Sequence, residues 1–199
     1  RAFLACYSAA GRNCSCSVES RIAVVDGFRD VFAWNAITNT IDRVSMGEAG
    51  KEPNAESYEA SVSGDGSFIA FTSAASNISK TEKGISNNNI FLRDMKSDKT
   101  TMISIDPFAK KGGGGSKPSI SSDGSRIAFY SHTATLVAGD NNGLWDIFLW
   151  DKNADGLKRI SLAADGKERS QGNESANRIV SPAISGNGRY IVFTTTAND

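Results

Sequence analysis

The chain repeats itself, and that repeat limits its fold more than any other feature. SVSGDGSFIAFTS starts at Ser61, SISSDGSRIAFYS at Ser119 and AISGNGRYIVFTT at Ala183; a shortened copy, FLACYS, starts at Phe3. A second block recurs between these: DVFAWN from Asp30, NIFLRD from Asn89 and DIFLWD from Asp146. A third follows each: DRVS ending at Ser45, TMIS ending at Ser104 and KRIS ending at Ser161. The turn landmarks Asp65, Asp123 and Asn187 lie 58 and 64 residues apart.

Each block has a local physical logic. Ser122-Asp123-Gly124 reads as a tight turn, since Asp accepts a hydrogen bond from backbone two residues on and Gly takes a positive φ. Gly64-Asp65-Gly66 and Gly186-Asn187-Gly188 keep that chemistry, because Asn also tolerates the left-handed conformation. Beyond the turn, Ile127 and Phe129 point one way and Ala128 and Tyr130 the other. Ile147-Phe148-Leu149-Trp150 is apolar on both faces, so this strand requires cover on both sides. The third block is mixed, as an outer strand would be. Each unit therefore predicts four strands: A before the Asp-Gly turn, B after it, C at the I-F-L run and D at the R-I-S run. No segment shows sustained helical periodicity.

Four-stranded antiparallel sheets at fixed spacing, with central strands covered on both faces, are the blades of a β-propeller. A β-sandwich accounts for the strands but not for the repeat. The expected fold is all-β: thirteen strands in the order B-C-D, A-B-C-D, A-B-C-D, A-B, about three blades plus partial ones, part of a six- to eight-bladed ring. Residues 1–199 read as a single partial propeller with repeat units at about 1–50, 51–109, 110–169 and 170–199. Phe71, Phe129 and Phe193, beside Ile69, Ile127 and Ile191, are expected between blades.

These repeats resemble the TolB-like (WD-like) β-propeller family, marked by S-x-D-G-x-x-I-A-F-x-S followed by D-I-F-L-x-D, over nearly the whole chain from Phe3 to Asp199. The resemblance implies the long-blade bacterial type and a periplasmic or secreted location. It specifies fold better than function.

Charge narrows the partners. The chain has 22 Lys+Arg against 22 Asp+Glu in 199 residues, so it presents no electrostatic footprint for nucleic acid. No apolar run approaches a bilayer-spanning length. RAFLACYSAAGRNCSCS at the N-terminus has neither the charged start nor the apolar run of a signal peptide, and the chain reads as processed or cut from a longer one. Cys6, Cys14 and Cys16 are odd in number, leaving free thiols or a Cys6–Cys14 bridge. Cys6 aligns with Phe71, Phe129 and Phe193 as a small inter-blade hydrophobe. Cys14 and Cys16 fall in a lengthened B–C loop.

Candidate chemistry is sparse. Asp140, Asn142 and Asp146 in the third B–C loop alternate oxygen side chains around Gly143, a pattern that can wrap calcium and that equally makes an Asx-rich turn. The other B–C loops offer only Asp26, Gly27 and Asp30, or Asn87, Asn88 and Asn89. His132 follows Ser131, but neighbours in a strand point to opposite faces and no nucleophile elbow is present. Asp94 and Asp151, with Asn35 at the matching place, read as turn residues, because a catalytic pair occurs once and not once per repeat. The run Lys110 to Lys117, with four glycines at 112–115, reads as a flexible solvated loop between blades. No catalytic residues and no bound cofactor other than calcium are expected.

The functional expectation is a non-enzymatic propeller that binds or scaffolds a protein or an envelope polymer. The alternative is a piece of a propeller enzyme, either polysaccharide-degrading or the non-catalytic propeller of a serine peptidase. A homodimer completing the ring is a further expectation on partners.

Overall fold

The Asp-Gly turns hold the architecture together from the smallest scale. Ser63 Oγ donates to Asp65 Oδ1 at 3.0 Å, Asp65 Oδ1 accepts the Ser67 N–H at 2.9 Å, and Ser63 Oγ accepts the Phe68 N–H at 3.0 Å. Ser121 with Asp123 and Ser185 with Asn187 repeat the same three bonds. Each turn thus satisfies its own backbone and sends strand B back antiparallel to strand A.

The computed structural model describes residues 3–8, 27–80, 88–154, 156–169 and 180–195. Within them lie thirteen strands and one short 3-10 turn at Glu48–Gly50. The first sheet is β1 (Phe3–Ser8), β2 (Asp30–Asn35) and β3 (Thr40–Arg43). The second is β4 (Ser57–Val62), β5 (Phe68–Ser73), β6 (Asn89–Asp94) and β7 (Lys99–Met102). The third is β8 (Ser116–Ile120), β9 (Arg126–Ser131), β10 (Asp146–Asp151) and β11 (Leu157–Arg159). The fourth is β12 (Val180–Ile184) with β13 (Ile191–Thr194). All pairings are antiparallel between sequence neighbours, the B-C-D, A-B-C-D, A-B-C-D, A-B order expected from the repeats.

Strand alternation divides the core into layers between blades. Ile69, Phe71 and Phe91 of the second blade pack with Val31, Ala33 and Val44 of the first. The opposite face, Ala70, Ile90 and Leu92, packs with Ile127, Phe129 and Phe148 of the third. Phe71 stacks on Phe91 at 5.7 Å between centroids, and Phe129 on Phe148 at 5.8 Å. The expectation of burial holds for Phe71, Phe129, Ile69 and Ile127 and not for Phe193 and Ile191, which are half-buried. The fourth sheet has two described strands; Val192 within β13 and Tyr190 just before it stand 66% and 65% exposed. Cys6 pairs with Phe32 in register, but its side chain lies outside the described residues, as do Cys14, Cys16, Asp26 and Asn87.

The inner strands carry the blade-to-blade joints. The Ile120 N–H donates to Ser61 Oγ and the Ile184 N–H to Ser119 Oγ, one blade further on. The turns step in the same way, with the Gly64 N–H on the Ser122 carbonyl and the Ser122 N–H on the Gly186 carbonyl. Each of β4, β8 and β12 also breaks register once. In the first two, Glu59 and Lys117 take left-handed φ values of 52° and 51°, and the Lys117 N–H donates to Glu59 Oε2 at 2.9 Å.

The glycine run corrects the expectation of a flexible loop. Gly112, Gly113 and Gly114 are buried. The Gly114 N–H donates to Asn89 Oδ1, and the Gly115 N–H to the Asn88 carbonyl. A Cβ on Gly115 would lie 2.9 Å from Phe129 and 3.0 Å from Ile90. The glycines are there because the backbone passes directly over the core of its neighbouring blade.

Candidate functional site: the loop face of the third blade

The sheets end differently at their two edges. One edge carries the tight A–B and C–D turns. There Asn35, Asp94 and Asp151 each accept a backbone N–H two residues on, closing the C–D turn. The other edge carries the B–C and D–A loops, whose length and sequence vary between blades, and specificity belongs on such loops.

Beneath that loop face each of the first three blades locks strand C to strand D. Ser45 Oγ donates to Asp30 Oδ1 at 2.7 Å and accepts the Val31 N–H. Ser161 plays the same part with Asp146 and Ile147, and Ser104 with Asn89 and Ile90. Where the first residue is Asp, an arginine arrives from strand D: Arg43 Nη2 is 2.6 Å from Asp30 Oδ2, and Arg159 Nη1 is 3.5 Å from Asp146 Oδ2. Where it is Asn89, Met102 stands at the arginine position. In these three blades the arginine is thus present only where the lock residue is Asp.

In the third blade the lock grows into a network. Arg159 Nη1 donates to Glu168 Oε1 at 3.0 Å and also lies 3.0 Å from Asp140 Oδ1. One nitrogen facing three carboxylates cannot align with all of them, so its contacts with the two aspartates are contacts of charge without aligned hydrogen bonds. Arg169, 4% exposed, donates to Asp146 Oδ1 at 2.9 Å, to the Trp145 carbonyl at 2.8 Å and to Thr195 Oγ1 at 2.9 Å. Burial, reinforced by the charge of Asp146, pushes the Asp140 carboxyl above its ordinary range, and Arg159 opposes it. Glu168 lies below the usual range because the Asn141 N–H and Arg159 bond to it.

The structure thus brings Asp140 and Asp146 together, and the cations between them are Arg159 and Arg169. Asn142 turns its Oδ1 to the Leu144 N–H, closing its own loop. Among the described residues no group of three His, Cys, Asp or Glu is arranged to hold a metal ion. Arg159 is legible in the KRIS block, whose DRVS counterpart also carries arginine; nothing in the sequence signals Arg169, which comes from the D–A loop. His132 is exposed, with its ring 4.5 Å from Trp145, and Ser131 Oγ accepts the Thr133 N–H.

No family model and no curated protein matches the chain. Among solved structures, TolB from Acinetobacter baumannii superposes with a TM-score of 0.51 at 16% identity, over 86% of this chain and 33% of that one. The fold is that of a TolB-like β-propeller. The putative TolB from Agrobacterium tumefaciens (TM-score 0.48, 16% identity, 86% of this chain and 52% of that one) and the tricorn protease (TM-score 0.49, 9% identity, 78% and 16%) are further structures similar to it. The propeller described here spans less than two thirds of each of these chains. No helix of the described residues is long and apolar enough to cross a membrane.

Proposed function

We propose that this propeller is a non-catalytic binding module, lying outside the cytoplasm, that presents its loop face to another protein or to an envelope polymer. One observation carries the reading. The carboxylates that recur with the repeat are each committed to a turn or to a strand lock, as Asp65, Asp94, Asp123, Asp151, Asp30 and Asp146 show. What varies from blade to blade is the loop face, which a binding surface needs and a scaffold alone does not.

The test compares the two edges. The chain is immobilised and offered an envelope fraction, with Ala138→Arg and Asn141→Arg altering the loop face and Lys96→Glu and Asn153→Arg the turn edge, all at exposed positions. Capture of a specific partner is expected to be lost with the loop-face pair and kept with the turn-edge pair. The opposite pattern, or turnover of a captured polymer, would overturn the reading.

A further inference from the structure

The third blade's loop face carries an aromatic row that the repeat does not require. Trp145 stands at the entry to β10, 38% exposed, where the first two blades have Arg29 and Asn88. The strand lock needs Asp146 and not its neighbour, so the lock does not call for an indole at this position. It is nevertheless held in place. Arg169 clamps the Trp145 carbonyl from below while pairing with Asp146. The Tyr130 ring lies 4.8 Å away at 55°, and the His132 ring 4.5 Å away at 46°. Lys117 Nζ sits 5.7 Å from the Tyr130 centroid, and Tyr130 is hydrogen-bonded to Ser116. The result is a row, Lys117, Tyr130, Trp145, His132, with an exposed aromatic on a rigid base.

From this row we propose that the third blade binds a neutral carbohydrate chain, with a sugar ring stacked on Trp145; the proposal rests on the reading of the propeller as a binding module. Three features select the ligand class. The exposed Trp145 and His132 rings, with half-buried Tyr130 against the indole, offer an apolar platform, which suits the C–H face of a sugar. The platform is edged by a donor (Lys117), a hydroxyl (Ser116) and an imidazole (His132), a mixture matching hydroxyls that both donate and accept. A polyproline run offers carbonyl acceptors alone and would leave the acceptor capacity of that edge unused. The network that Arg169 ties to the Trp145 carbonyl holds three carboxylates, Asp140, Asp146 and Glu168, against two guanidinium groups, a balance that does not draw a polyanion.

The test is retention of the intact chain on insoluble chitin and cellulose, beside immobilised polyproline. Soluble oligosaccharide from the retaining polymer is then titrated against tryptophan fluorescence. Retention on at least one polysaccharide is expected, little changed between low and high salt. Trp145→Ala is expected to weaken binding roughly tenfold or more, the scale of one stacking contact removed by alanine, and Trp145→Phe much less. Circular dichroism and melting establish that both variants fold; His132→Ala, at an exposed position, serves as a second probe. Retention on no polysaccharide, on polyproline alone, or only at low salt overturns the proposal. Retention that a folded Trp145→Ala variant keeps overturns the site while leaving the binding module standing.

Discussion

Gly115 and Phe129 set each other's limits. The glycine has a φ of 153°, and its missing side chain makes room for the phenyl ring and for Ile90. Overpacking a tight core costs roughly 1–3 kcal/mol, and a strained backbone adds to that. Gly115→Ala is expected to lose about that much stability in denaturant unfolding. Gly166→Ala, where a Cβ would meet nothing within 4 Å, is expected to lose only about 1 kcal/mol, from its positive φ. Equal losses would mean that the strap does not lie on the core. The sequence misleads here for a physical reason. A run of four glycines is equally the composition of a flexible tether and of a backbone squeezed between two blades. Only the arrival of Asn89, Leu136 and Phe129 from elsewhere in the chain decides between them.

At the scale of the element, strands and turns were legible because their causes are local. The period-2 alternation of Ile127 to Tyr130 and the Asp123-Gly124 turn need no distant partner. The polar network was only half legible. Asp140 and Asp146 stand out as oxygen donors, but their cations come from strand β11 and the loop after it. The exchange of Asp30 with Arg43 for Asn89 with Met102 is a signal present in the repeats themselves, and it yields a prediction. Losing one partner of a buried ion pair costs about 3–5 kcal/mol. Asp30→Asn and Arg43→Met are each expected to be strongly destabilising, and the double variant, which copies the second blade, less so than the sum of the two. Additive losses in a double-mutant cycle would show that the charges are not coupled. The turns give a second prediction. Hydrogen bonds from Ser67, and from Ser121 and Ser125, hold Asp65 and Asp123 down at about 2. A carboxylate depressed in the folded state contributes stability above its unfolded value of about 3.9, and that contribution disappears as pH falls through the folded value. Acid unfolding is therefore expected to steepen between about pH 4 and pH 2. Replacing both residues with Asn, the residue at position 187, should flatten that part of the curve; an unchanged curve would count against the turn bonds.

Across the whole molecule, function follows from stacking. Blades that share cores on both faces are rigid in the middle, and that rigidity lets loops at one edge diverge without loss of the frame. The repeat made the stacking predictable, while the partial burial of Phe193 shows where the described arc ends. Site-resolved hydrogen exchange measures this most directly, since amides in the best-covered strands open only with the whole unit. The account predicts the slowest exchange in β5, β6, β9 and β10, the central strands of the second and third sheets. It predicts faster exchange in the outer strands β3, β7 and β11, and in β13, where Val192 and the preceding Tyr190 are exposed. Uniform protection in all thirteen strands, or rapid exchange in β5 and β9, would contradict a propeller of stacked blades.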